Sequence, residues 1–167
     1  MTAIDDIPVA STPPGGYGEH DRDRYDRTMP PPILADAPDE LAPGVIDLRG
    51  TWKVVDLRSN GEPVPAKNPQ WRHFERIEQS GDRVVVTGGG IIHDFPHADG
   101  TLEHALRDVM AIDFATPLVV TASFEDGMFV LRPNGEDGIR VTRHLEGERL
   151  IWDYAGVFQA TMERIDR

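Results

Sequence analysis

Three of the six histidines, His93, His97 and His104, fall within the fourteen residues IIHDFPHADGTLEH (91–104). Imidazole is a common metal ligand and the side chain best suited to proton transfer near neutral pH, so this cluster is the first candidate for chemistry. The chain has no cysteine, which removes thiolate ligands, thiol nucleophiles and disulfides and leaves His, Asp and Glu to hold any ion. His93 and His97 are four apart with Pro96 between them, at a strand end or turn, and His104 follows across Ala98-Asp99-Gly100. A three-histidine zinc site spanning a hairpin is geometrically open, but the spacing fits no established ligand signature. The competing readings are structural or solvent-facing histidines, and contact of His104 with a substrate. No metal and no cofactor is expected.

Other chemistries find less support. No serine sits in a G-x-S-x-G elbow. Paired carboxylates for glycoside hydrolysis cannot be assigned, since the acidic residues fall mostly in turns. Gly88-Gly89-Gly90 is followed by neither Lys-Ser/Thr nor a helix signal, so it is a poor phosphate loop. What remains is chemistry that a shaped cavity accelerates by itself.

The elements that must position these residues are strands. From residue 45 the chain reads as short β-prone runs, among them VIDLRGTWKVVDLR, QWRHFERIEQ, DRVVVTGGGIIHDF, TLEHALRDVMAIDF and RLIWDYAG, which give eight or nine strands. Between them lie turn sequences such as SGD, EDG and EGE, where Gly accepts positive φ. Every connection is short, so consecutive strands are expected to pair, and a meander of that many strands closes on itself to remove its edges. The expected fold is therefore all-β: a single antiparallel up-and-down barrel, with Gly88–Gly90 as a bend inside one long strand.

Residues 1–44 have a different texture. They hold eight of the fourteen prolines and nine acidic against three basic residues, with little hydrophobic periodicity. Tyr25, Met29, Ile33 and Leu34 give this stretch enough apolar surface to dock, so it is read as an arm or lid over a barrel at 45–167; a floppy tail is the alternative. Seventeen basic and twenty-nine acidic side chains give a net charge of −12, which disfavours nucleic acid and anionic membranes. The N-terminus lacks a signal-peptide pattern, and no run approaches the ~20 apolar residues of a membrane span. A cytoplasmic protein is expected, working as a monomer or homodimer.

LRGTWKVV (48–55) resembles the opening strand of calycin barrels, the lipocalin and fatty-acid-binding-protein group, whose Gly-x-Trp lays a tryptophan across the closed end. RLIWDYAGVFQATMERI (149–165) is similar to the last hairpin of fatty-acid-binding proteins, including its Glu-Arg pair. The departures are informative. The Arg-x-Tyr that clamps a lipid carboxylate in that family is replaced by Ala160 and Met162, and the two portal helices by SNGEPVPAKNP. Heme-binding relatives use a histidine near the C-terminus, whereas His144 is the last one here. In size, architecture and arm the chain also resembles the small calycin-like barrels that catalyse [4+2] cyclisation in spirotetronate and spirotetramate biosynthesis.

Side chains two apart on a strand share a face. If TLEHALRDVMAIDF is one strand, Leu102, Leu106, Met110, Ile112 and Phe114 face inward, and His104 and Asp108 with them. Leu150, Trp152 and Tyr154, then Phe158, Ala160 and Met162, with Trp52 and Val54, complete an aromatic, Met-rich lumen; a solidly packed core is the alternative. The expected ligand is a hydrophobic small molecule contacted by Trp52, Val54, Leu106, Met110, Trp152, Phe158, Met162 and Tyr25. The resemblance to the cyclases implies cofactor-free cyclisation of a polyene-type substrate, with His104, Tyr154 and Asp108 as the candidate polar groups and the arm closing over them. A non-catalytic carrier of a hydrophobic metabolite is the alternative.

Overall fold

In the computed structural model, which describes residues 1–166, inward and outward side chains alternate through eleven strands. They are β1 (Gly50–Ser59), β2 (Glu62–Pro63), β3 (Phe74–Ser80), β4 (Arg83–Gly88), β5 (Ile91–Phe95), β6 (Leu106–Val109), β7 (Pro117–Glu125), β8 (Met128–Pro133), β9 (Val141–Glu146), β10 (Arg149–Tyr154) and β11 (Phe158–Asp166). The order is β5-β4-β3-β1-β11-β10-β9-β8-β7-β6, all antiparallel, with β2 added to the end of β1. Pairing of β1 with β11 wraps the meander into a calycin-like barrel, closed except for a seam between β5 and β6. Among the described residues, no helix is long and apolar enough to cross a membrane.

Two stretches differ from the sequence expectation. DRVVVTGGGIIHDF is a hairpin, not one bent strand: Gly89 and Gly90 have φ of 58° and 87°, successive left-handed residues that reverse the chain in a two-residue turn, and Gly88 pairs with Ile91. This hairpin and the short β2 account for the strand number above nine. TLEHALRDVMAIDF is a strand only at Leu106–Val109. The Asp113 carboxylate accepts the amides of Ala115 and Thr116, both at 2.9 Å, and so offers the backbone a turn in place of a ladder. Strand alternation therefore ends with β6, and Leu102 and Ile112, on the turns that flank it, are 53% and 78% exposed.

The closed half of the barrel is packed solid. Trp52 is fully buried; its indole N–H donates to the Leu48 carbonyl at 2.8 Å, and the Arg164 guanidinium lies 4.5 Å over its ring. Leu57, Ile77, Val84, Phe95, Phe129, Leu150 and Met162 fill the layer around it. Gln79, inward on β3, accepts the Leu48 amide at 2.6 Å and donates to the Ile46 carbonyl at 2.8 Å, fixing the chain as it enters β1.

The first 42 residues run out and back along the outside of β3, β4 and β5. On the outward leg the buried Arg83 donates to the carbonyls of Ile4, Ile7 and Pro8 at 2.7–3.0 Å and pairs with Asp94, which accepts the Ala10 amide. Thr12 then sits at the seam, its amide donating to Asp108 at 3.0 Å and its hydroxyl accepting the Ile92 amide at 2.9 Å. On the return leg Arg76 donates to the Pro30 carbonyl, Glu78 accepts the amides of Ile33 and Leu34, and Ser80 donates to the Pro38 carbonyl. A proline-rich segment has few amides to give, so the outward polar side chains of the sheet supply the bonds. Met29 and Ile33 pack with Tyr17, Leu34, Val85 and Ile92 in a second apolar cluster, outside the barrel.

Candidate functional site

Above the packed layer the barrel opens into a cavity of about 350 Å³. Its walls are mostly apolar: Val86, Ile91, Phe95, Leu118, Val120 and Leu131, with Trp152 and Phe158 facing one another edge to face at 4.8 Å. The polar groups come from strand phase. In HFERIEQ, His73 and Glu75 share the inward phase of Ile77; in VTRHL, Arg143 shares that of Val141; in IIHDF, His93 shares that of Ile91 and Phe95. Gly88 is opposite Glu75, where a Cβ would come within 2.8 Å of the Glu75 Cβ and of the Phe74 carbonyl oxygen, so the glycine lets β4 approach β3 closely beside Glu75.

Glu75 is the centre of a buried network. Arg143 donates from Nε to Oε2 at 2.8 Å and from Nη2 to Oε1 at 3.1 Å, and His73 Nε2 donates to Oε1 at 2.8 Å. Burial pushes the Glu75 carboxyl up, but Arg143 and His73 outweigh it and hold the group at about 2. The Arg143 guanidinium lies 4.8 Å over the Trp152 ring, and the His73 ring is also 4.8 Å from it. Among the charged wall residues, Glu75 and Arg143 therefore cancel, and both are desolvated.

The arm reaches the mouth. A short bridge pairs His20 with Arg27, and the intervening turn places Tyr25 edge-on to His73 at 5.7 Å with Arg24 beside it. Asp23 pairs with Arg72 on the rim, and Arg27 stacks over Phe114 at 4.7 Å.

Of the residues named from sequence, Tyr25, Met110, Ile112, Trp152, Tyr154 and Phe158 line the cavity, Ile112 from the exposed turn after β6. Trp52, Val54, Leu106 and Met162 lie in the packed layer beneath it, buried by neighbours and away from the void. Asp108 is at the seam, bonded to Thr12 and 3.8 Å from His93 Nε2. His104 is outside the barrel, on a turn with its Nδ1 against Asp99, because residues 101–105 never join a strand. His97 is also outside, between Asp82 and Asp5, which raise its pKa against the opposing effect of burial. Its ring lies 4.7 Å from that of His104, yet among the described residues no three His, Asp or Glu groups are arranged to hold an ion. Sequence reasoning singled out His93 but set it at a strand end or turn rather than on the cavity wall, and it passed over His73, Glu75 and Arg143, although each stands in phase with apolar neighbours.

No family model matches this sequence, and no curated protein matches it. Among solved structures 46 chains match. One, human cRBP IV, superposes with a TM-score of 0.50 at 16% identity, over 72% of this chain and 99% of that one. At that identity the likeness is one of fold, and it agrees with the strand order: the chain is an all-β, antiparallel, calycin-like barrel.

Proposed function

We propose that the barrel takes one neutral, largely apolar small molecule into its upper cavity and promotes an intramolecular [4+2] cyclisation of it by holding a single folded conformer. The observation that carries this reading is the cavity itself: about 350 Å³ of mainly aromatic and aliphatic wall, floored by a packed core, roofed by the Tyr25 turn, with Glu75 and Arg143 neutralising one another. Such a wall favours apolar ligands with a few polar contacts. A carboxylate-bearing lipid would have to compete with Glu75 for Arg143.

Joining a diene to a dienophile within one chain requires no nucleophile. It requires the loss of open conformers before the barrier, which a fitted cavity supplies, and a hydrogen bond that draws electron density from the dienophile carbonyl. Tyr154 is the proposed donor among the sequence candidates, since it lines the cavity beside Phe158 while His104 lies outside. Closure of the Tyr25 turn over the substrate would exclude water.

A carrier is the second reading, favoured by the mutual satisfaction of His73, Glu75 and Arg143, an arrangement suited to holding a molecule without reacting. One incubation separates the two. A linear polyene bearing a terminal enone is mixed with the protein and followed by chromatography and absorbance, since cyclisation is an isomerisation that leaves mass unchanged. A new isomer formed faster than in buffer supports the cyclase; recovery of the unchanged polyene from a stable complex supports the carrier.

A further inference from the structure

His93 is inward on β5, halfway down the cavity wall between Ile91 and Phe95. Its Nε2 lies 3.0 Å from the carbonyl oxygen of Val109 across the seam. A carbonyl can only accept, so Nε2 carries the hydrogen, and the Asp108 carboxylate 3.8 Å away favours the same placement. In the neutral ring this leaves a lone pair on Nδ1. Burial lowers the His93 pKa, and Arg143 adds to that effect, against the Val109 carbonyl and Asp108, so the ring is neutral at pH 7.

The rest of the wall makes this nitrogen distinctive. Both Glu75 oxygens are occupied by Arg143 and His73. Arg24 and Tyr25 bond to one another at the mouth. Among the described residues no protein donor meets His93 Nδ1, and it is not among the atoms sealed without a partner, so it keeps accessible surface on a side chain that lines the cavity. A fixed, neutral, basic acceptor in an apolar cavity is unsatisfied until a donor arrives, and leaving it so is unfavourable once water is displaced.

We propose that His93 Nδ1 is the ligand-recognising acceptor of the cavity, and that the bound molecule belongs to the class of apolar compounds carrying a hydroxyl, phenol or enol. The inference rests on the binding reading above and adds the polar group that the ligand must present. Val109, Asp108 and Thr12 make His93 a rigid acceptor, because they fix which nitrogen is free.

The test compares farnesol with its methyl ether, a matched pair differing in the hydroxyl hydrogen, by titration calorimetry on the full chain. Wild type should bind the alcohol about tenfold more tightly, the effect of one buried hydrogen bond, and His93→Phe should bring the pair to within about twofold. Long-range ¹H–¹⁵N spectra of wild type should show His93 protonated at Nε2, with its Nδ1 resonance moving on addition of farnesol and not of the ether. That measurement decides the matter even if His93→Phe fails to fold. Equal binding of the two probes, a preference retained in His93→Phe, or a proton on Nδ1 would overturn the proposal while leaving the cavity a binding site. Binding of neither probe would overturn the binding reading and this proposal with it.

Discussion

Glu75, 1% exposed, is the residue on which the site depends most. Its carboxylate stays ionised because Arg143 and His73 saturate it, so removing the charge strands Arg143 in a desolvated wall. Glu75→Gln should cost about 3 kcal/mol of stability by urea denaturation, the effect of breaking a buried pair. The pH dependence has a definite sign. The group titrates at about 2 in the fold against an ordinary 4.5, so its contribution is whole above pH 4.5 and is lost as pH falls toward 2. The gap between wild type and Glu75→Gln should therefore narrow over that window, while other acids cancel in the comparison. At this scale the sequence was legible in part. Apolar phase located Trp152, Tyr154 and Phe158, but phase alone does not tell which in-phase polar residue joins a buried network: it drew His104 and Asp108 inward and left Glu75 and Arg143 unremarked. Glu75 and Arg143 are 68 residues apart, and nothing local announces that they meet.

The arm is an element of the barrel's outer wall, and its turn at Tyr25 reaches the mouth. The sequence supported docking through Tyr25, Met29 and Ile33, with the barrel core complete without them. Instead, Met29 and Ile33 bury the outer side of Val85 and Ile92, and only the turn around Tyr25 reaches the cavity. The reason lies in β4 and β5, which are buried on both faces: their outward Val85 and Ile92 demand apolar cover, and their outward Arg83 and Asp94 demand partners. A chain lacking residues 1–12 should lose about 2–4 kcal/mol, since Arg83 and Asp94 then lose backbone partners while remaining an ion pair at the surface of a thinned wall. Hydrogen exchange should quicken at Ile92 and along β6, where Thr12 bridges the seam. Unchanged unfolding and unchanged exchange would reduce this leg to a tail.

At the scale of the whole molecule, a solid lower half lies under an open upper half, so the alternatives of lumen and filled core are both realised, in different layers. The split yields an optical prediction. Trp52 is sealed in the lower layer and Trp152 forms part of the cavity wall, so emission should lie to the blue of free tryptophan. Its response to an apolar ligand should persist in Trp52→Phe and be largely lost in Trp152→Phe. The meander and its closure were legible because turns and strand phase are local signals; the seam was not, because it depends on which edges remain unpaired after closure. That seam also bears on the order of synthesis. Residues 4–12 are synthesised well before their partners Arg83, Ile92, Asp94 and Asp108, and β1 must likewise wait for β11. Both margins of the barrel thus lock late, as expected of a fold dominated by distant pairings. The eight prolines of the leading segment have a use during that delay: they keep an exposed, waiting chain from adding itself as a strand to a neighbour's open edge.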